Sequence, residues 1–478
     1  MRGESTTGTF ALSEKNSIPN NLHDSSISMA SADLFKTPSL QLTDPQAQSQ
    51  SSAESHVPFA NRKNTSVTDA GAMAHLLKGC LGTGILAMPN AFKNGGLAFG
   101  LVGTLVLGTI CAHCMNILVS SSQFLCRRTK TPALDYSNTA LVAFETGPKA
   151  VQPYSSFAKW FVNAALCTTL YSTGAVYIVF IAQSVKQVGD FHFEEMKIDV
   201  RIYMLIFAIP LCLMCLIRNL KYLVPFSMLS NAFILISFAI TLSYIFKDLP
   251  ALSERRNLAD PGQIPLFLST VTFALEGIGV VMPIENSMKN PGHFLGCPGV
   301  LNISMGIVVV LYAVMGFFGY LKYGESALGS VTINLPTGEI LCQVVKILIA
   351  AAVLFTYALQ MYVPNKIVWE GLECYVKKGW QNTAQNTYRI GVVIIATCVA
   401  AAVPELDAII SLVGAVFLST LGLLCPAVIE TVTFWDELGP GRWKLWKNVI
   451  VVVLALVVLV SGAYSSIARI VETYSMQQ

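Results

Sequence analysis

Long apolar blocks alternate with short polar connections along most of this chain, starting near residue 70. Asn448–Ala468 and Ile340–Val363 each run for about twenty residues with little charge. A bilayer core of about 30 Å needs roughly 20 apolar residues in a helix, so such blocks predict membrane-spanning helices. About eleven spans follow, near 70–91, 95–119, 158–186, 200–218, 223–246, 265–287, 297–321, 339–363, 388–403, 407–430 and 447–468. The longer connections fall at 120–157, 247–264 and 364–387. Residues 1–66 break the pattern. They are rich in Ser, Thr, Asn, Gln and Pro, contain no apolar run, and read as a disordered cytosolic tail without a signal peptide. The spanning core is expected over 67–470, with a short tail over 471–478.

Composition agrees with the pattern and narrows the function. Apolar residues make up 53% of the 478, charged residues only 12%, and mean hydropathy is +0.57. A soluble protein of this length carries about twice that charge, which excludes an ordinary cytosolic enzyme. The net charge of +3 is too mild for a nucleic-acid partner. Twelve cysteines lie mostly inside the apolar blocks; Cys111 with Cys114 and Cys212 with Cys215 share helical faces, and neither pair has companion ligands at metal-site spacing. They read as packing residues, with no external disulfide and no metal. The chain has no phosphate-binding GxxxxGK[ST], no HExxH, no GxSxG, no repeated arginines of a voltage sensor and no potassium-type filter. Nothing between the spans is large enough for a catalytic domain, so neither an enzyme nor an ATP-driven pump is expected. Lys and Arg in the connections favour a cytosolic N-terminus roughly two to one. An odd number of spans then leaves the C-terminus outside or in a lumen. Trp435, Trp443 and Trp446 fall where indoles anchor at an interface.

The candidate chemistry lies in two interrupted spans. Span 1 contains Gly82-Thr83-Gly84 followed by Pro89 and Asn90; span 6 contains Gly277-Ile278-Gly279 followed by Pro283 and Asn286. Glycine frees the backbone and proline removes a donor, so each helix can unwind inside the membrane. Breaks five spans apart point to an inverted repeat of five plus five helices, with an eleventh added and a site near the midplane. Freed amides at a half-helix N-terminus suit a carboxylate, and freed carbonyls suit an ammonium or a cation. An amino-acid zwitterion satisfies both. Glycines that merely let helices pack closely are the plainer alternative, but two matching breaks with matching prolines argue against it.

Ionisable residues inside spans add detail. His75 and Lys78 lie one turn apart in span 1, and Glu276 immediately precedes the glycines of span 6. Glu285 and His113 sit near enough to an interface to be solvated or capping groups, and Lys78 is placed to snorkel to headgroups. Lys346 in span 8 has no assigned role. His75 is the strongest proton-coupling candidate, because only histidine changes charge unperturbed between pH 5 and 8. The sequons at Asn64 and Asn302 are expected in the cytosol and inside span 7, and so unmodified.

His75-Leu76-Leu77-Lys78-Gly79 leading into Gly82-Thr83-Gly84-Ile85-Leu86-Ala87-Met88-Pro89 resembles span 1 of proton-coupled amino acid transporters. Phe273-Ala274-Leu275-Glu276-Gly277-Ile278-Gly279 through Asn286 resembles span 6, with lesser matches at Asn334-Leu335-Pro336, Tyr357-Ala358-Leu359-Gln360 and Tyr362-Val363-Pro364. The likeness covers roughly 70–470 and, within the amino acid/auxin permease group, is greatest to insect members of the pathetic type. It implies an all-α, LeuT-like fold of eleven helices, a cytosolic N-terminus, and symport of small neutral amino acids with protons into the cytosol. It also implies a proton-coupling role for His75. The chain lacks the external cysteines that can bridge two loops in vertebrate relatives.

The expected function is therefore secondary active transport, with protons as coupling ion and no other cofactor. Gly82, Thr83 and Gly84 would receive the substrate carboxylate. Phe273, Gly277 and Gly279 would border its ammonium and side chain, with Glu276 as ammonium partner or proton relay. The plasma membrane or a late endosomal or lysosomal membrane would house it. Two alternatives stay open: an amino-acid sensor with little flux, and a sodium-coupled symporter with Thr356 as a ligand.

Overall fold

In a computed structural model the described residues are 67–193, 198–218, 220–296 and 298–477. The tail 1–66 with its sequon at Asn64, and the acidic Glu194 and Glu195 beside Lys197, lie outside them. The described chain is all helical apart from one isolated bridge between Val67 and Met288. Span 1 is split into α1 (Asp69–Cys80) and α2 (Gly84–Gly95). Span 2 is α3 (Leu97–Thr129), followed by the short α4 (Tyr136–Thr146). Spans 3, 4 and 5 are α5 (Ser155–His192), α6 (Val200–Cys215) and α7 (Leu220–Ile245). Span 6 is split into α8 (Ile264–Ala274) and α9 (Ile278–Ser287). Spans 7, 8 and 9 are α10 (Val300–Tyr323), α11 (Ile340–Leu372) and α12 (Gln381–Ala402). Span 10 comprises α13 (Leu406–Val413), a π-helical stretch over Gly414–Leu424, and α14 (Cys425–Thr433); span 11 is α15 (Trp443–Gln477).

Eight of these segments are long and apolar enough to cross a bilayer, and the bent α1–α2 pair is a ninth. The count of eleven includes α6, a shorter apolar helix of 16 residues, and α12, of 22. Two expectations change. The connection 120–157 is not open loop: α3 continues to Thr129, and α4 is tucked under the bundle with the Tyr136 hydroxyl donating to the Leu421 carbonyl at 2.6 Å. Residues 471–477, expected as a tail, extend α15. Trp435, Trp443 and Trp446 are 45%, 53% and 65% exposed. Asn302 is the third residue of α10.

The interior is built around α2, α8 and α10. Phe92 of α2 fills the space beside Gly316, and Pro89 lies against Gly319, so the small residues of α10 let α2 approach closely. α8 packs between α2 and the π-helical part of span 10, and spans 3 and 8 pack along each other. The cysteines among the described residues are all free.

Candidate functional site

The two halves of span 1 meet at a true break. Thr68 caps α1, its Oγ1 accepting from the Gly71 amide at 3.2 Å. Helix hydrogen bonding stops after the Leu81 amide bonds Leu77, and Gly82 turns back onto the Cys80 carbonyl at 3.0 Å. The axis bends by 53° before α2 begins at Gly84. The amides of Thr83, Gly84 and Ile85 donate to no backbone carbonyl among the described residues. They form the open N-terminus of α2. Pro89 has no N–H to return to the Ile85 carbonyl, so that acceptor also loses its helical donor.

Span 6 repeats the plan with less distortion. Leu275 and Glu276 close the end of α8 with bonds to Val271 at 3.0 Å and Phe273 at 3.3 Å. Gly277 is extended (φ −168°), and α9 starts at Ile278 without an axis bend above 40°. Pro283 stands sixth in α9 as Pro89 stands sixth in α2. The amides of Gly277, Ile278 and Gly279 likewise find no backbone acceptor among the described residues.

Tertiary packing sets the breaks against each other. A β-carbon on Gly84 would lie 2.7 Å from Ala274 Cα and 2.8 Å from its carbonyl oxygen, while one on Gly277 would lie 2.6 Å from Cys80 Sγ. One on Gly82 would meet nothing within 4 Å. Beside the span 6 break lies a small cavity of about 20 Å³, bounded by Cys111 and Met115 of span 2, Glu276 and Gly277, and Leu418 and Leu423 of span 10. That volume suits about one water molecule. The Glu276 side chain borders it and makes no hydrogen bond or ion pair to a described residue. Two buried tyrosines complete the surroundings. The Tyr312 hydroxyl of span 7 donates to the Cys80 carbonyl, one of the acceptors released where α1 ends. Tyr177 of span 3 lies beside Thr83 and Glu276.

Six of the expected site residues therefore gather at the paired breaks: Gly82, Thr83, Gly84, Glu276, Gly277 and Phe273, the last buried with its Cβ against Gly414 of span 10. Gly279 is the second residue of α9, with Leu166 of span 3 at 3.6 Å from its β-position. His75 is not part of this cluster. It sits half-buried on α1, about 10 Å before Gly82 at 1.5 Å per residue.

Other expectations are corrected. Glu285 is not solvated: it is fully buried, and Gln123 Nε2 donates to its Oε1 at 2.8 Å and to the Pro291 carbonyl at 3.0 Å. His113 is half-buried, with Nε2 enclosed and unbonded among the described residues. Lys78 does more than snorkel, since its ammonium donates to Ser227 Oγ of span 5 at 2.6 Å. Arg389, counted with the loops, is 4% exposed and donates to the Cys215 and Ile217 carbonyls, capping span 4. Thr356 bonds Ser230 of span 5 and the Ala352 carbonyl, so its hydroxyl is already engaged away from the breaks. Sequence reasoning missed Tyr177, Tyr312 and Gln123. The available signal was a polar atom in the middle of an apolar block, which must find a partner inside the bundle.

An all-helical, multi-span protein with two facing interrupted helices and unbonded backbone groups at the gap has the architecture of a membrane transporter rather than an enzyme. The chain belongs to the transmembrane amino acid transporter protein family, whose model matches residues 63–468. It is 39% identical over 421 residues to the proton-coupled amino acid transporter-like protein pathetic of Drosophila melanogaster, covering 87% of this chain and 88% of that protein. It is 26% identical over 439 residues to the probable amino acid transporter skat-1 of Caenorhabditis elegans, covering 87% and 92%. Among solved structures it is similar to MhsT in complex with L-phenylalanine (TM-score 0.48, 14% identity, 82% of this chain and 98% of that one). It is also similar to the nucleobase-cation symporter Mhp1 (TM-score 0.49, 10% identity, 88% and 95%).

Proposed function

We propose that this amino acid transporter carries small neutral amino acids together with protons, from outside or from an acidic lumen, into the cytosol where its N-terminus lies. The observation that carries the reading is the apposition of the two breaks, with Gly84 at the start of α2 against Ala274 and Gly277 against Cys80, and with Glu276 unpaired among the described residues beside them. The open amides of Thr83, Gly84 and Ile85 offer a substrate carboxylate hydrogen bonds and the favourable end of a helix dipole. The Glu276 carboxylate, which borders the gap, offers either the substrate ammonium a partner or the coupled proton a place to bind. Apolar neighbours, Met115 and Leu423 among them, favour an uncharged side chain. The gap beside the breaks is far smaller than an amino acid, so loading requires the half-helices to part, as alternating access demands. His75, on the N-terminal half of span 1, moves with α1 and is placed to pass the proton to the cytosolic side. The relative named for proton coupling supports this reading, and the engagement of Thr356 weighs against the sodium alternative.

The test is uptake of a panel of radiolabelled amino acids into proteoliposomes under an imposed pH gradient, with choline replacing sodium. Small neutral amino acids should accumulate several-fold above equilibrium. Glu276→Gln and His75→Ala should reach the membrane yet lose that accumulation. Uptake that needs sodium would replace the proton by sodium, and binding without accumulation would make the protein a sensor.

A further inference from the structure

Span 8 buries a lysine that the breaks do not use. Lys346, on the second turn of α11, is 1% exposed. Its Nζ donates to a single acceptor, the neutral Thr337 Oγ1, at 2.8 Å. No described carboxylate forms an ion pair with it. Span 3 brings Lys186 and Asp190, which pair with each other, and His192, whose Nε2 is 2.9 Å from Gln343 Oε1. Span 5 brings Tyr244, bonded to Glu339 just ahead of α11. Tyr323 ends span 7, and Cys342 lies one turn earlier on α11. Spans 3 and 8 run antiparallel, with His192 opposite Gln343 and Gly174 opposite Met361. That register sets Gly189 opposite Lys346, with Gln187 Oε1, buried and without a hydrogen-bond partner among the described residues, two positions away on the same span.

The partner of Lys346 belongs to the segment 324–337 that joins spans 7 and 8 on the face away from the N-terminus. The same segment is tied to span 1, where Lys93 at the end of α2 donates to the Ala327 carbonyl at 3.1 Å. Asn334 holds the segment folded, donating to the Ser326 carbonyl at 2.7 Å and accepting from the Leu328 amide at 2.9 Å. Residues 331–334 pack on α2, span 3 and span 8 together. An ammonium enclosed away from water with one neutral acceptor is costly, and the cost falls once water reaches it. Closure of the segment and charge on Lys346 therefore oppose each other.

We propose that Lys346 is a further proton-binding site, distinct from the breaks, whose occupancy opens the transporter on the side away from the N-terminus. With the segment closed, the amine is neutral. When the segment lifts, Lys346 takes a proton from the solution on that side, and the ammonium disfavours reclosure until the proton returns to the same solution. This proton is not carried across; it governs how readily α2 is released. The inference rests on the transport reading above, because lifting the segment is what gives substrate access to α2.

The test uses the full chain in proteoliposomes, following exchange of radiolabelled alanine with equal pH on both sides from 8.0 to 5.5. Without a gradient nothing drives net uptake, and the coupled proton at the breaks contributes alike to wild type and to Lys346→Met, so the difference between them reads opening. Exchange should accelerate several-fold as pH falls. Lys346→Met should give a shallower profile, losing at least half of that acceleration. Thr337→Val, which removes the acceptor that the neutral amine uses only in the closed segment, should move the midpoint up by roughly half to one pH unit. A wild-type slope in Lys346→Met overturns the proposal and passes the pH dependence to His192. If Lys346→Met fails to reach the membrane, Thr337→Val decides, and an unmoved midpoint overturns the proposal. A flat wild-type profile also overturns it, while gradient-driven accumulation, measured separately, leaves symport standing. Absence of alanine exchange at every pH removes both readings for this substrate.

Discussion

The breaks in spans 1 and 6 share a plan but differ in tightness. In span 1 the axis turns by 53°, and Gly84 is pressed against the backbone of Ala274. In span 6 the axis bends by no more than 40°, and the close neighbours of Gly277 are side chains, Cys80 Sγ and Met115 Cε at 2.6 and 3.1 Å from its β-position. A side chain can rotate; a packed backbone cannot move without its helix. Span 1 therefore carries the geometric constraint, whereas span 6 carries the carboxylate at the gap. Within span 1 the three residues of the Gly82–Gly84 turn also separate. Gly84 is needed for contact between helices, while Gly82 faces open space. Intolerance at Gly84 reports on packing, and only Gly82 reports on a ligand.

Three substitutions break or sharpen this contrast. The largest effect belongs to Gly84→Val, whose branched side chain must displace the Ala274 backbone. Overpacking of this kind costs about 1–3 kcal/mol, and uptake should fall to about 1% of wild type or below, with a lower melting temperature in detergent. A normal melting temperature with no uptake would return Gly84 to the ligand and erase the distinction between the two glycines. Gly82→Ala comes next. Its methyl has room, so stability should stay within about 0.5 kcal/mol of wild type, as for substitutions that disturb no packing. Uptake should nevertheless weaken about tenfold, mainly through KM, because the methyl stands where a carboxylate approaches the amides. Unchanged KM would move the carboxylate site to the α9 amides of span 6. The smallest effect is expected at Gly279→Ala, where Leu166 at 3.6 Å is an ordinary contact. Uptake within about twofold of wild type would fit a site centred on the first turn of α2. A large loss there would make span 6 the more exacting half.

The ends of the molecule differ as well. On the N-terminal side the chain before α1 is fastened to the end of α9: the Val67 amide bonds the Ser287 carbonyl at 3.2 Å and the Lys289 amide bonds the Val67 carbonyl at 3.0 Å. His293 meets Asp69 at 2.8 Å. On the other side the start of α3 is fastened to the approach to span 6, with the Leu97 and Ala98 amides bonding the Arg256 and Asn257 carbonyls at 2.9 and 3.1 Å. At the turn, Gly96 has φ +87°, and its β-position lies 2.7 Å from Asn257, so only glycine fits. The first fastening joins the start of span 1 to the end of span 6; the second joins the turn between spans 1 and 2 to the connection before span 6.

Much of this was legible in the residues alone, because lipid imposes a strict rule: a spanning helix must be long, apolar and internally bonded. Nine of the spans follow from that rule, as do the two breaks, where glycines and prolines violate it at matching places. What the rule does not encode is which side chain meets which. Glu285 lies two residues beyond Pro283 and reads as interfacial, yet Gln123, 162 positions earlier, closes over it. Arg389 reads as a loop charge until the carbonyls at the end of span 4 claim it. His75 belongs with the breaks by sequence proximity, but the helical rise carries it about 10 Å away. Tyr177, Tyr312 and Lys346 acquire meaning only from partners on other spans. Helical periodicity is local and survives in the sequence; polar pairing in a bundle is non-local, and the packing of whole helices decides it.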